Sequence, residues 1–217
     1  MSSISKIIEK EISASPFLEE SIAEDLINIS SLARMLKPKV EEELGKEVNT
    51  GALVMAINRM EFEKFHGING RIEEFMSSLG DIIIRSNLND YAFKNSPTLA
   101  NAQMKLLEAS SDKVDGFCTV SQGVYESNIV VIKSLSDKVD ELFKNETMLF
   151  KMEDLSSVTL RLPEFNVPGA YYFLLKKIAW ENINIFEIIS TTNEITLVVK
   201  NEDIDRVFTL LMSFKKK

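Results

Sequence analysis

The stretch whose reading decides the fold is Asn166–Ile189, "NVPGAYYFLLKKIAWENINIFEII". Pro168 and Gly169 mark a turn. After them Ala170, Tyr171, Leu174, Leu175, Ile178 and Ala179 recur at steps of three or four, which predicts a helix with one broad apolar face and Lys176 and Lys177 outside it. "INIFEIIST" then has the β-branched character of a strand, and a turn over Thr192 and Asn193 leads to a second strand, "EITLVVK". The stretch holds no histidine or cysteine and no glycine loop for a nucleotide.

Working outward, "SSVTLRL" predicts a strand before the turn, by alternation of Val158, Leu160 and Leu162. "EDIDRVFTLLMSF" closes the chain as a helix with Ile204, Val207, Phe208 and Leu211 inward. Upstream, the same order recurs. "DIIIRS" is a short strand, and "SPTLANAQMKLLEAS" is a helix with Leu99, Ala102, Leu106 and Leu107 on one face. "GFCTVSQGVYESNIVVIK" makes two strands about a turn, "SLSDKVDELFKNE" a helix with Leu135, Val139 and Leu142 inward, and "TMLFKM" a closing strand. Element order therefore repeats over about 65 residues. Each copy predicts an antiparallel sheet with both helices on one face, the ferredoxin-like layout. The second copy has no fourth strand after its last helix; "TMLFKM" or another subunit would complete its edge.

Residues 4 to 60 predict a helical cluster. Ser15 and Pro16 open one helix in which Phe17, Ile22 and Leu26 share a face. Leu32, Ala33, Leu36, Val40 and Leu44 form a stripe, expected to break at Pro38 and to end at Gly45. Asn49 or Thr50 caps a third helix bearing Leu53, Val54 and Ile57. Gly67 and Gly70 then predict a hairpin or connector in "EFEKFHGINGRIEEFMSSLG", with a domain boundary near Gly80.

Composition limits what the chain can do. Its 217 residues, 45% hydrophobic, can bury a substantial core. No apolar run is long enough to span a membrane, charges interrupt the N-terminal apolar stretches, and the cytoplasm is the expected location. Cys118, the only cysteine, lies in an apolar strand, which predicts a packed thiol without a role. His66, the only histidine, has no second His or Cys nearby, so neither a metal site nor a histidine-based triad is expected. No cofactor is implied. A net charge of −8 opposes binding to a phosphate backbone, and residues 1 to 60 carry 7 basic against 10 acidic groups.

Residues 166 to 211 resemble the ACT domain family, the amino-acid-sensing regulatory modules attached to aspartate kinases and other metabolic enzymes. The resemblance rests on the Pro168-Gly169 turn after a strand, the length of the helix, the "NINI" leading into the second strand, and "EDIDRVFTLL" as the last helix. Residues 81 to 150 resemble a more divergent copy without the Pro-Gly turn, and a tandem pair is similar to the regulatory end of aspartate kinases. No kinase motif accompanies it. The expected fold class is therefore α+β: an N-terminal helical domain with connector (1–79), then two ferredoxin-like ACT-type modules (80–153 and 154–217).

The resemblance implies a ligand held between Asn166, Val167, Pro168 and Gly169 of one module and Asn182, Ile183, Asn184 and Ile185 of the same module or its partner. A glycine lets a ligand approach the backbone, and the N–H groups opening a helix suit a carboxylate. The plainer reading is that Pro-Gly only turns the chain and the asparagines only cap it. The N-terminal helices resemble a helix-turn-helix or winged-helix domain, in which Asn49, Thr50, Asn58 and Arg59 would face DNA. A protein-binding role stands beside that one, because "VEEELGKE" puts acidic groups against the same helix. The expected function is non-catalytic sensing of an amino acid or similar metabolite by a homodimer or higher oligomer, with transcriptional control as one output. The alternative is a regulatory or structural subunit of an amino-acid-metabolism enzyme.

Overall fold

The computed structural model describes residues 3–60, 63–111 and 116–215. The chain divides into two compact units, Met1–Glu73 and Glu74–Lys217.

The first unit is helical: α1 (Ile4–Ser13), α2 (Pro16–Ala23), α3 (Ile29–Leu44), α4 (Thr50–Asn58) and the start of α5 (Glu63–Ser77). Its core gathers Ile8, Ile12, Leu32, Leu36, Val40 and Leu53. Residues expected from the three-and-four spacing do face inward on α3, and Gly45 ends that helix in the left-handed conformation. Three expectations fail here. Helix α3 runs through Pro38 without a break. The stripe Leu32–Leu36–Val40 lies on both sides of the proline, and its burial together with the caps at Asn28 and Gly45 offsets the lost hydrogen bond. Of the expected face Ile22 is buried, but Phe17 and Leu26 are exposed: α2 ends at Ala23 and Asp25 takes a positive φ of 56°, so Leu26 leaves the helix, and Leu18 packs against the core with Ile22. Finally, where a hairpin or connector was expected at Gly67 and Gly70, helix α5 runs through both glycines. Ile72, Phe75 and Met76 of α5 are all buried, and their three-and-four spacing outweighs the turn preference of Asn69-Gly70. The side chain of His66 lies outside the described residues.

The second unit contains β1 (Ile82–Lys94), α6 (Leu99–Ser111), β2 (Cys118–Gln122), β3 (Glu126–Ile132), α7 (Ser136–Leu142), β4 (Met148–Arg161), α8 (Ala170–Trp180), β5 (Glu187–Ser190), β6 (Glu194–Lys200) and α9 (Ile204–Phe214). Its six strands form one antiparallel sheet, ordered β2-β3-β1-β4-β6-β5. β1 and β4, at the centre, are longer than the sequence suggests: "DIIIRS" continues to Lys94, and "TMLFKM" and "SSVTLRL" are a single strand.

A bulge in each long strand hides this continuity. Arg85 pairs with Ser157, Leu88 with Leu155, and Asp90 with Met152, so one extra residue stands in β1 before the Leu88–Leu155 pair and one in β4 beyond it. Asn87 (φ 59°) and Asp154 (φ 58°) occupy these bulges in the left-handed conformation that Asn and Asp tolerate best. Beyond each bulge the strand is buried, and before it the strand is exposed. One half of the sheet therefore reads β2-β3-β1-β4 and the other β5-β6-β4-β1, each using a different half of the two long strands. The edge missing after α9 is completed by Ile82–Arg85, and neither "TMLFKM" nor another subunit is needed for it.

One face of the first half carries α6 and α7 over Tyr91, Phe93, Ile129 and Val131. On the other face Leu88, Val130, Leu155 and Val198 make a smaller core with Phe117 and Phe186. Full burial of each such side chain contributes about 1.5–3 kcal/mol. The apolar stripes are narrower than expected: Leu107, Tyr171, Ala179 and Phe208 are exposed at their margins, while Ala170, Leu174 and Ile178 alone bury the centre of α8.

Candidate functional site

The turn before α8 is built as its residues dictate. Gly169 has φ 89° and ψ −7°, a conformation that a side chain would strain, and the Ala170 N–H donates to the Val167 carbonyl at 3.2 Å. Asn166, Pro168 and Gly169 are exposed and Val167 is half-buried. No side chain caps α8. The turn is thus exposed, with the positive end of the helix dipole behind it.

The other four expected site residues lie elsewhere. Asn182, with φ 55°, ends the far side of α8, where its N–H donates to the Ala179 carbonyl at 2.9 Å. Ile183 is buried, Asn184 exposed and Ile185 half-buried, and β5 begins only at Glu187. Eleven helical residues, a length of about 16 Å, separate the two groups. Within one chain, then, the turn does not meet Asn182–Ile185. What it does meet is the end of β5: the Tyr171 hydroxyl lies 3.1 Å from that of Ser190. A ligand touching both expected groups would need the second from another copy of the chain.

A polar cluster with no counterpart among the expected site residues lies on the sheet face opposite α6 and α7. There the Asn128 side-chain amide donates to the Glu187 carboxylate, linking β3 to β5 although three strands stand between them in the sheet. Nearby Asp90 is 2% exposed, with one carboxyl oxygen lacking a hydrogen-bond partner. Burial, with the negative charge of Glu187 second, pushes the Asp90 carboxyl up to about 7. Burial also raises Glu187. The only clue in the sequence was an aspartate beside the apolar "YAF". Cys118 is half-buried, and burial pushes its thiol up to about 11, so it is a poor nucleophile.

In the helical unit, Asn49 caps α4 by accepting from the Gly51 N–H at 2.7 Å, and Thr50 is half-buried beside it. Asn58 and Arg59 are exposed at the other end of the helix. Three lysines of this unit face carboxylates: Lys10 with Glu43 at 3.3 Å, Lys37 with Glu41 at 3.5 Å, and Lys39 with Glu11. Among the described residues there is no cluster of three metal-ligating side chains, and no helix is long and apolar enough to cross a membrane.

No protein-family model and no curated protein matches the chain. Solved structures do. The aspartate kinase of Clostridium acetobutylicum, an allosteric enzyme, has a TM-score of 0.53 at 13% identity, over 64% of this chain and 35% of that one. The regulatory subunit of aspartate kinase from Thermus thermophilus, in its ligand-free form, has a TM-score of 0.51 at 12% identity, over 63% of this chain and 97% of that one. Aspartokinase III of E. coli, solved with aspartate and ADP, has a TM-score of 0.50 at 15% identity, over 64% of this chain and 34% of that one. The chain thus spans about a third of the length of the two kinases and nearly all of the regulatory subunit. Identity this low carries the fold alone: over about two thirds of its length (63–64%) the chain has an ACT-like fold, as in the regulatory subunit of aspartate kinase.

Proposed function

We propose that this chain is a non-catalytic regulatory protein in which two ferredoxin-like ACT modules sense an amino acid or a similar small carboxylate. The observation that carries this reading is the exposed, uncapped start of α8 behind Gly169, on a fold shared with a kinase regulatory subunit. Asn166–Gly169 of one copy and Asn182–Ile185 of a second copy would enclose the ligand. The effector would shift the population toward the dimer geometry in which these groups meet, because only that geometry offers it both. The helical unit would pass the change to a partner protein; its engaged lysines favour this over DNA.

Calorimetric titration with each standard amino acid tests the sensing role. Saturable heat with at least one of them is the expected result, and no heat with any would overturn it. A second reading, a subunit that serves a separate amino-acid-metabolism enzyme, draws support from the near-complete coverage of the T. thermophilus regulatory subunit. Affinity purification from the native cell separates the two readings: a stoichiometric enzyme partner favours the second, and a homo-oligomer alone favours the first.

A further inference from the structure

β5 is the shortest strand of the sheet: four residues at the end of the strand order, paired only with β6. Its remaining contacts cross the face opposite α6 and α7. There Phe186 and Ile189 pack against Leu88, Val130, Leu155 and Val198, and the Glu187 carboxylate accepts from the Asn128 side-chain amide of β3. Asp90 of β1 stands on the same face as Asn128, since Asp90 pairs with Val130 and Ala92 with Asn128. A single short strand thus carries the contact between β3 of the first half and the second half of the sheet.

The charges around this contact are of one sign. Asp90 is buried with one carboxyl oxygen unpartnered, Glu187 acts on it, and Glu126 of β3 acts on Glu187. The bases on the neighbouring strands are placed elsewhere. Lys94 stands across from Glu126, and Arg85 lies over the Phe117 ring at 5.2 Å. Lys151 of β4 bonds Glu153 at 2.8 Å and lies over Tyr91, on the α7 side of the sheet. Lys200 of β6 faces Glu202 at 3.5 Å. With both carboxyls ionised, two like charges share a contact that water barely reaches; one proton on Asp90 removes both the repulsion and the cost of burying its charge.

We propose that Asp90 and Glu187 form a proton-operated latch between the two halves of the sheet: a proton on Asp90 seats β5 against β3, and its loss releases β5 from that contact. The direction follows from burial, which pushes the seated Asp90 up to about 7 from the ordinary 3.8, so the released form binds fewer protons and gains as pH rises. At the far end of β5 the Ser190 hydroxyl is 3.1 Å from that of Tyr171, in the first turn of α8. Release of β5 therefore moves a strand that touches the start of that helix. The latch needs no small-molecule ligand, and its failure leaves the sensing role untouched.

The test is a pH titration of the isotope-labelled full chain between about pH 5 and about pH 8, without ligand, read by the nuclear Overhauser contact between the Asn128 side-chain amide and the side chain at position 187. In the wild type this contact is expected at the acid end and lost at the alkaline end, while the amides of Ile129 and Leu197 keep their folded shifts. Asp90→Asn is expected to keep the contact throughout. Glu187→Gln, which leaves Asn128 an acceptor, is expected to keep it to a higher pH than the wild type. A contact that persists at the alkaline end in the wild type overturns the latch, and so does a loss at the same pH in folded Asp90→Asn. If Asp90→Asn does not fold, Glu187→Gln decides: loss at the wild-type pH overturns the latch, and survival beyond it supports the latch.

Discussion

Leu88 and Leu155 face each other across the two longest strands, and each follows a residue with positive φ, Asn87 before the one and Asp154 before the other. The bulges these residues make turn two long strands into four functional half-strands. Asn and Asp hold the left-handed conformation at low cost, whereas a β-branched side chain adds about 1–2 kcal/mol of strain. Asn87→Val and Asp154→Val should each lower stability by about that amount, and Asn87→Gly and Asp154→Gly should be neutral or better. Urea unfolding of the four variants checks it; equal losses for Val and Gly would mean that the side chains matter and the backbone conformation does not.

Asp90 makes stability depend on pH, and the sign follows from its raised value. The unfolded carboxyl loses its proton near 3.8 and the folded one near 7, so the folded state holds a proton that the unfolded state has released. Its contribution is full below about pH 4 and is lost as pH rises toward about 7. Glu187, raised as well, acts in the same direction. Asp90→Asn should flatten this slope and give a higher melting temperature than the wild type at about pH 8. A wild type whose melting temperature climbs steadily between those limits contradicts the assignment.

Pro38, exposed on α3, costs the helix a hydrogen bond and brings a steric clash. Pro38→Ala should stabilise the helical unit by up to about 3 kcal/mol, read by denaturant unfolding of the full chain. An unchanged or lowered midpoint would show that the proline costs the helix nothing where it stands.

The helical unit should leave DNA mobility unchanged in a low-salt gel shift across genomic fragments, since Lys10, Lys37 and Lys39 already face carboxylates. A retarded band that is lost in Arg59→Ala would reverse that reading and restore the role first suggested for Asn58 and Arg59.

Helices α3, α4, α6 and α8 were legible because burial on one face leaves a three-and-four spacing, and Asn49, Gly45 and Gly169 carried cap and turn chemistry of their own. The long strands were not, because a bulge shifts the alternation by one residue and makes Met148–Arg161 look like two strands. Nor could a local pattern show that Ile82 pairs with Leu160, or that Asn128 reaches Glu187, since those contacts are set by how the sheet curls. The turn of the candidate site was legible from Pro168-Gly169. Its separation from Asn182–Ile185 is set by the length of α8.

The most direct test of the sensing role is an amide-shift titration of the labelled full chain with each standard amino acid, at concentrations where the chain self-associates. Sensing as proposed predicts that at least one amino acid moves Ala170 and Tyr171 together with Ile183 and Asn184, and that Gly169→Val abolishes both responses while leaving the rest of the spectrum in place. If every amino acid leaves those four amides unmoved, the turn before α8 is only a turn.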